Sequence, residues 1–190
     1  MAVSPAHSAH ALRALHRVAL ALTGTLDADS LAAIVAEHTR RLVRAGAVAI
    51  YWWDPERAVL DRVADTDARA LTRPSIGLGS GAVGQAFASR QSLIVPDYQT
   101  WARAVPQVAA LGVVSVLAVP VMANGDPVGV ISARSYRPRR WAARHIELLW
   151  LFAGQVAPSL LATRLLAEAE QRRAEAEALA ELARWGAAEP

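Results

Sequence analysis

The chain has 190 residues, 54% of them hydrophobic, enough for one domain with a sizeable core plus an extension. It contains no cysteine, which excludes disulfides, thiolate metal sites, a cysteine nucleophile and any thioether-linked chromophore. All 20 basic residues are arginine and 17 residues are acidic, leaving a formal net charge of +3 that is scattered, with Arg137, Arg139 and Arg140 the densest cluster; nucleic-acid binders concentrate such charge on one face, so no direct nucleic-acid binding is expected.

Residues 1–10 are expected to be a flexible N-terminus. Arg13, His16 and Arg17 interrupt the hydrophobic residues that follow, so the segment does not read as a signal peptide. Residues 9–22 place Leu12, Leu15, Ala19 and Leu22 at helical spacing, which predicts an amphipathic helix. Capping side chains between Thr25 and Ser30 precede a second helix, in which Leu31, Ile34, Val35, His38 and Leu42 recur before Gly46 stops it.

Residues 47–53, AVAIYWW, are β-branched and aromatic and end at Asp54-Pro55, the pattern of a strand; a second strand is predicted over 59–64. In the first of these, Tyr51 and Trp53 share one face and Trp52 takes the other. Residues 65–74 are polar and irregular, a predicted loop. Gly77, Gly79 and Gly81 then lead into a short helix over 82–89, and residues 92–95 return to strand.

Residues 97–112 carry Tyr98, Trp101, Pro106 and Leu111 without a clear period and predict a loop with one or two helical turns. Strands at 113–122 and 127–135 are joined by Ala123-Asn124-Gly125-Asp126, where Asn-Gly is a strong hairpin signal because both residues tolerate positive φ. From Ala142 to about Trp185 the pattern is helical, with Ile146, Leu149, Phe152, Val156, Leu160 and Thr163 at the spacing of a heptad seam. Beyond Leu166 the seam thins to Leu165, Ala169, Ala176, Leu179 and Leu182 or Ala183, flanked by Glu and Arg, and Pro158 predicts a kink or weak point. No stretch reaches the roughly 18 uninterrupted apolar residues of a membrane span. The chain is therefore expected to be cytoplasmic, with no membrane partner.

The segments GLGSGAVGQAFASRQSLIVPD, SVLAVPVMANGDPVGVI and RRWAARHIELLWLFAGQVAPSL, in that order, resemble a GAF domain. The resemblance rests on Gly81-x-x-Gly84-x-Ala86-Phe87, on Leu117-Ala-Val-Pro120 and on Gly125-x-x-x-Gly129-Val130. It implies an α+β, GAF-like and PAS-related fold: a six-stranded antiparallel sheet with the N- and C-terminal helices packed on one face and a ligand cavity on the other. Residues 11–166 would form this domain, and residues 167–190 a helical, coiled-coil extension that signals.

The resemblance walls the cavity with the central strands, the short helix and the loop over 97–112. The candidate ligand-binding residues are Tyr51, Trp53, Gly79, Gly81, Val83, Tyr98, Trp101, Leu111 and Arg134. Aromatic walls with a few polar groups suit a small organic ligand, although the same rings could simply fill the cavity. Arg73, Arg103 and Arg134 are the candidates to meet an anion. Turn glycines far outnumber ligand-contacting ones, so Gly77 and Gly79 can equally be read as turn formers.

The departures from well-defined relatives narrow the function. Cyclic-nucleotide-binding GAF domains carry an Asn-Lys signature, and this chain has no Lys. Bilin sensors and GAF-type methionine sulfoxide reductases need cysteines that are missing here. No histidine lies between His38 and His145, which leaves no haem ligand in the pocket, and His7, His10 and His16 have no clustered carboxylate, so neither cofactor nor metal is expected. His38 and His145 are expected as partly exposed helix residues. Ser80, Ser115 and Ser132 have no His nearby in sequence, and Asp97 is better read as a turn cap than as an acid or base, so no enzyme is expected. The expectation is a sensory or regulatory module that binds a small molecule non-covalently. It would dimerise through residues 12–22 and 146–182 and signal to a histidine kinase, cyclase or transcription output domain. The alternative is a ligand-free dimerisation or protein-interaction scaffold with a self-filled cavity.

Overall fold

A computed structural model describes residues 28–70 and 75–186; the predicted flexible N-terminus, the predicted first helix and Arg73 lie outside the described residues. The elements in chain order are α1 (Ala28–Leu42), β1 (Ala47–Asp54), β2 (Val59–Asp65), β3 (Ile76–Gly77), α2 (Gly81–Ser89), β4 (Leu93–Val95), α3 (Pro106–Ala109), β5 (Ser115–Ala123), β6 (Asp126–Ser135) and α4 (Ala143–Gly186). The strands form one antiparallel six-stranded sheet in the order β3-β2-β1-β6-β5-β4.

Period-two alternation divides the core. Val48, Ile50 and Trp52 of β1, Leu117, Val119 and Val121 of β5, and Ile131 and Ala133 of β6 face α1 and α4, where Leu31, Val35, Leu149, Phe152 and Ala153 meet them. The intervening residues, among them Ala49, Tyr51, Val116, Ala118 and Val130, face Ala82, Val83, Ala86 and Phe87 of α2 and Tyr98 and Val108 of the following loop. Of the helices expected on one face of the sheet, the described ones, α1 and α4, share it, and the second face is covered by α2 and residues 97–112.

Five strands were predicted from residue pattern, and the sixth is β3, whose two residues are too few to show a period. The turn Asn124-Gly125 has φ of 51° and 88°, the left-handed pair that a two-residue hairpin requires. Helix α1 ends earlier than Gly46. Arg44 takes the left-handed position at φ 51°, and the Ala45 N–H donates to the Arg40 carbonyl at 2.9 Å, closing the carbonyls of the last turn. Gly46 serves another purpose, since a Cβ there would lie 2.8 Å from the Tyr136 ring. Helix α4 continues through Pro158, and its 44 residues correspond to about 66 Å of helix.

Gly84 explains the spacing of the glycine motif. A Cβ on it would stand 2.3 Å from the Gly77 carbonyl oxygen, so only glycine allows α2 to lie directly on the backbone of β3. That close approach fixes the start of α2 beside the sheet and so positions the cavity wall.

Candidate functional site

Between the sheet and α2 lies a cavity lined by Tyr51, Ile76, Gly81, Ala82, Val83, Tyr98, Val105, Val108, Val116, Ser132 and Arg134. Its open space is only about 10 Å³. That is the room of about one water molecule, against the several hundred Å³ of a typical drug-sized site.

Tyr51, Gly81, Val83, Tyr98 and Arg134, five of the nine residues singled out from sequence, line this cavity. The other four do not. Trp53 stacks on Phe87 with ring centroids 4.8 Å apart and seals β1 against α2. Trp101 packs on Tyr98 at 5.7 Å from outside, and Leu111 is half-buried against the same cluster. Gly79 has a φ of 73° with open space around it, the geometry of a turn former. Arg103 is exposed, and Asp97 caps the following turn by accepting from the Gln99 N–H at 3.1 Å.

The lid over the cavity is tight. The Tyr98 hydroxyl accepts a hydrogen bond from the Val105 N–H at 3.0 Å, tying the loop back on itself. A Cβ on Gly81, whose φ is 56°, would meet Val105 at 2.7 Å. The loop therefore presses on the first turn of α2. Ser80, the N-cap of that helix, makes no side-chain capping bond, which leaves the first-turn N–H groups beside the cavity uncapped.

The polar side of the cavity comes from β6. Arg134 is 1% exposed, and β6 alternation sets it on the same face as Val130 and Ser132. Its Nη2 donates to Asp65, which also accepts from Arg62 Nη1 at 2.7 Å and from the Asp67 N–H at 2.9 Å. One buried carboxylate thus serves two buried guanidinium groups. Nε and Nη1 of Arg134 have no hydrogen-bond partner among the described residues. Burial pushes the Tyr51 hydroxyl up to about 12, with the Arg134 charge opposing it, so the phenol stays protonated and able to donate. Burial likewise raises Tyr98.

Sequence reading missed the apolar part of the lining, Ile76, Ala82, Val105, Val108 and Val116, because those residues carry no chemical signature. In sequence, Ser132 stands out only as a nucleophile candidate, and Asp65 reads as the start of a loop. Their signal was positional: Ser132 and Arg134 share a strand face, and Asp65 closes the neighbouring β2. His145, expected to be partly exposed, is instead buried edge-on to Trp141 at 5.7 Å. Among the described residues no group of three or more His, Cys, Asp or Glu could hold a metal ion, and no helix is long and apolar enough to cross a membrane.

A sequence model of the GAF domain family matches residues 25–160. Nothing among curated protein sequences matches the chain. Several solved structures share its fold. The GAF domain of an Acinetobacter phosphoenolpyruvate-protein phosphotransferase is 16% identical, with a TM-score of 0.66 over 81% of this chain and 94% of that one. A free methionine-R-sulfoxide reductase from Neisseria meningitidis, solved in complex with its substrate, is 21% identical, with a TM-score of 0.67 over 87% and 96%. A GAF domain/HD domain protein from Geobacter sulfurreducens is 18% identical, with a TM-score of 0.63 over 76% and 98%.

Proposed function

The chain belongs to the GAF domain family, whose members are generally regulatory or sensory parts of signalling proteins, and from that premise we propose that it is a non-catalytic cytoplasmic sensor. In this reading a small molecule binds non-covalently in the cavity between the sheet and α2, and its presence is reported through α4 to an output domain or a separate partner.

The observation that carries the reading is the buried polar corner of the cavity. A guanidinium with two nitrogens unpartnered among the described residues, on a wall otherwise largely apolar, is costly to keep as mere filling and is suited to recognition. The methionine sulfoxide reductase fold-mate is an enzyme; this chain lacks any cysteine to do thiol chemistry, which supports a sensor rather than a reductase. The output side rests on α4. Leu165, Leu166 and Leu179 are 55%, 64% and 67% exposed, which favours a second copy packing along this helix as a coiled coil. In that dimer residues 12–22 would join the interface.

A ligand-free scaffold is the competing reading, and the small open space favours it, because Tyr51, Tyr98, Val105 and Val108 already fill most of the cavity. Thermal-shift and tryptophan-fluorescence screening against a metabolite panel separates the two: the sensor yields a ligand whose effect vanishes when the cavity is altered, the scaffold none. Truncation after Leu166 tests the output side. Weaker self-association in sedimentation supports the dimeric helix, and an unchanged dimer removes it as the main interface.

A further inference from the structure

We propose that His145 makes the junction between α1 and α4 an acid-sensitive clasp: its neutral ring holds the start of α4 closed, and a proton on the ring opens it. This role goes beyond the ligand reading above and needs no occupant in the cavity.

The clasp joins the end of α1, the connection from β6 to α4, and the first turn of α4. Arg139, in the connection, donates through Nη1 to the Arg44 carbonyl and through Nη2 to the Val43 carbonyl at 2.6 Å, so it ties down the end of α1. Its guanidinium lies over the Trp141 ring at 4.1 Å, and that ring meets the His145 ring edge-on. His145 stands in the first turn of α4, where its Nδ1 accepts from the Ala142 N–H at 2.9 Å and its own N–H donates to the Ala142 carbonyl at 2.8 Å. The side chain thus caps the helix start as the Glu or Gln of a capping box does, with an imidazole in its place.

A neutral ring fits this site and an imidazolium does not. With Nδ1 accepting, the proton of the neutral ring is on Nε2, 3.4 Å from Arg139 Nη2. A second proton on Nδ1 turns the acceptor into a donor facing the Ala142 N–H, and the cap breaks. It also sets a positive charge beside Arg139 and Arg144 and at the positive end of the α4 dipole. Among the described residues no carboxylate relieves it. Glu147 is exposed two residues further along α4 and so does not share the ring's side of the helix. On α1, Glu37 is bound to Arg40 and Arg41, and Arg44 adds another cation just past its end. Strand β5, beneath α4, carries no charged residue. The ring is only 9% exposed, so burial opposes the charge as well. The charged ring is better placed in water. When it leaves, α4 loses its first-turn cap and Trp141 loses its edge contact beside Arg139, which loosens α4 from the end of α1. A proton here therefore biases the same helix that the cavity would, from the opposite face of the sheet.

The experiment follows the full chain by amide hydrogen exchange and by NMR of the histidine rings as pH is lowered from neutrality, with protection corrected for the intrinsic pH dependence of exchange. As the His145 ring protonates, below about pH 6.5, protection at residues 137–149 should fall about fivefold to tenfold, the loss expected for one helix cap, while β1, β5 and β6 keep theirs. His145→Gln, whose side-chain oxygen accepts from the Ala142 N–H at every pH, should keep the protection. His145→Ala should lack it already at neutral pH. His38→Gln, which removes the histidine of α1, should respond as the native chain does. A His145 ring that titrates at or above about pH 6.5, one that titrates while residues 137–149 stay protected, or a chain that unfolds globally with the ring still neutral overturns the proposal. So does a His145→Gln protein that loses protection as the native one does, or a His38→Gln protein that does not. Ring titration and local exchange in the native chain decide by themselves should a variant fail to fold.

Discussion

Replacing Asp65 with Asn removes the one carboxylate between Arg62 and Arg134 while keeping size and shape. The native Asp65 accepts from both guanidinium groups and from the Asp67 N–H, and its side chain is almost fully buried, as are both arginines. The variant deprives both guanidinium groups of this carboxylate's charge, and breaking a buried pair in this way costs about 3–5 kcal/mol. With a urea m-value of about 2 kcal/mol/M, a loss of about 4 kcal/mol lowers the unfolding midpoint by about 2 M. Arg134→Met should behave in the opposite sense. It leaves Asp65 paired one-to-one with Arg62 and removes the unsatisfied nitrogens, so the ligand-free protein should be within about 1 kcal/mol of native stability, or above it. The double variant should recover at least part of the Asp65→Asn loss, because the guanidinium of Arg134 is no longer buried beside a neutral amide. Urea unfolding followed by circular dichroism measures all three. A cost below about 1 kcal/mol for Asp65→Asn, or a double variant no better than Asp65→Asn alone, would refute the account of one buried carboxylate holding two guanidinium groups.

Gly84→Ala forces a Cβ to within 2.3 Å of the Gly77 oxygen, so α2 must lift from β3 by roughly 0.7 Å to regain a 3.0 Å contact; overpacking of about 1–3 kcal/mol outweighs the roughly 1 kcal/mol helix-propensity gain, and the urea midpoint should fall. Tyr98→Phe deprives the Val105 N–H of its acceptor and should cost about 1 kcal/mol, with faster hydrogen exchange or proteolysis confined to residues 97–112; unchanged exchange there would mean the bond does not hold the loop. Burial first, then the charges of Arg139 and Arg144, lowers the His145 pKa below 6.5. A folded-state pKa below the unfolded one means stability is present above pH 6.5 and is lost as pH falls through the folded value. His145→Gln should therefore flatten the stability profile below about pH 6.5, and an identical profile in the variant would remove His145 as the cause.

The sheet was legible because its strands bury alternate residues on two different layers. In AVAIYWW the period of two separates Tyr51 and Trp53 from Trp52, and the structure assigns them to opposite faces even though the β1–β2 register shifts between Ile50 and Tyr51. Asn124-Gly125 was legible because its backbone demand is local. What escaped was non-local. The reason for Gly84 is a carbonyl on another element, and the reason for the buried Arg134 is Asp65, 69 positions earlier in the chain. A lone arginine at the end of a strand reads as a solvated residue until its partner is known, although its place two residues from Ser132 already aimed it at the cavity. The end of α1 was misplaced for a related reason: Gly46 is the obvious stop, but Arg44 accepts the left-handed conformation and frees Gly46 to admit the Tyr136 ring.

For occupancy of the cavity to influence α4, a ligand must favour one of two arrangements of the elements between them. Strand β6 is an obvious connector, since Arg134 and Ser132 face the cavity while Ile131 and Ala133 face the helices. It is also held on both sides by long antiparallel registers with β1 and β5, and a strand so clamped cannot shift alone without breaking many hydrogen bonds. Helix α2 is freer. It meets the cavity with its first turn, and its C-terminal end leads within three residues to Ser92, whose hydroxyl accepts the Trp150 indole N–H at 2.7 Å. Trp150 lies on α4. A tilt of α2 against the sheet, pivoting where Gly84 rests on β3, would therefore reach α4 through that bond without disturbing the central ladder. The glycine that allows the close approach and the indole that crosses from one face of the domain to the other are the two points at which the sensor reading makes its mechanical demands.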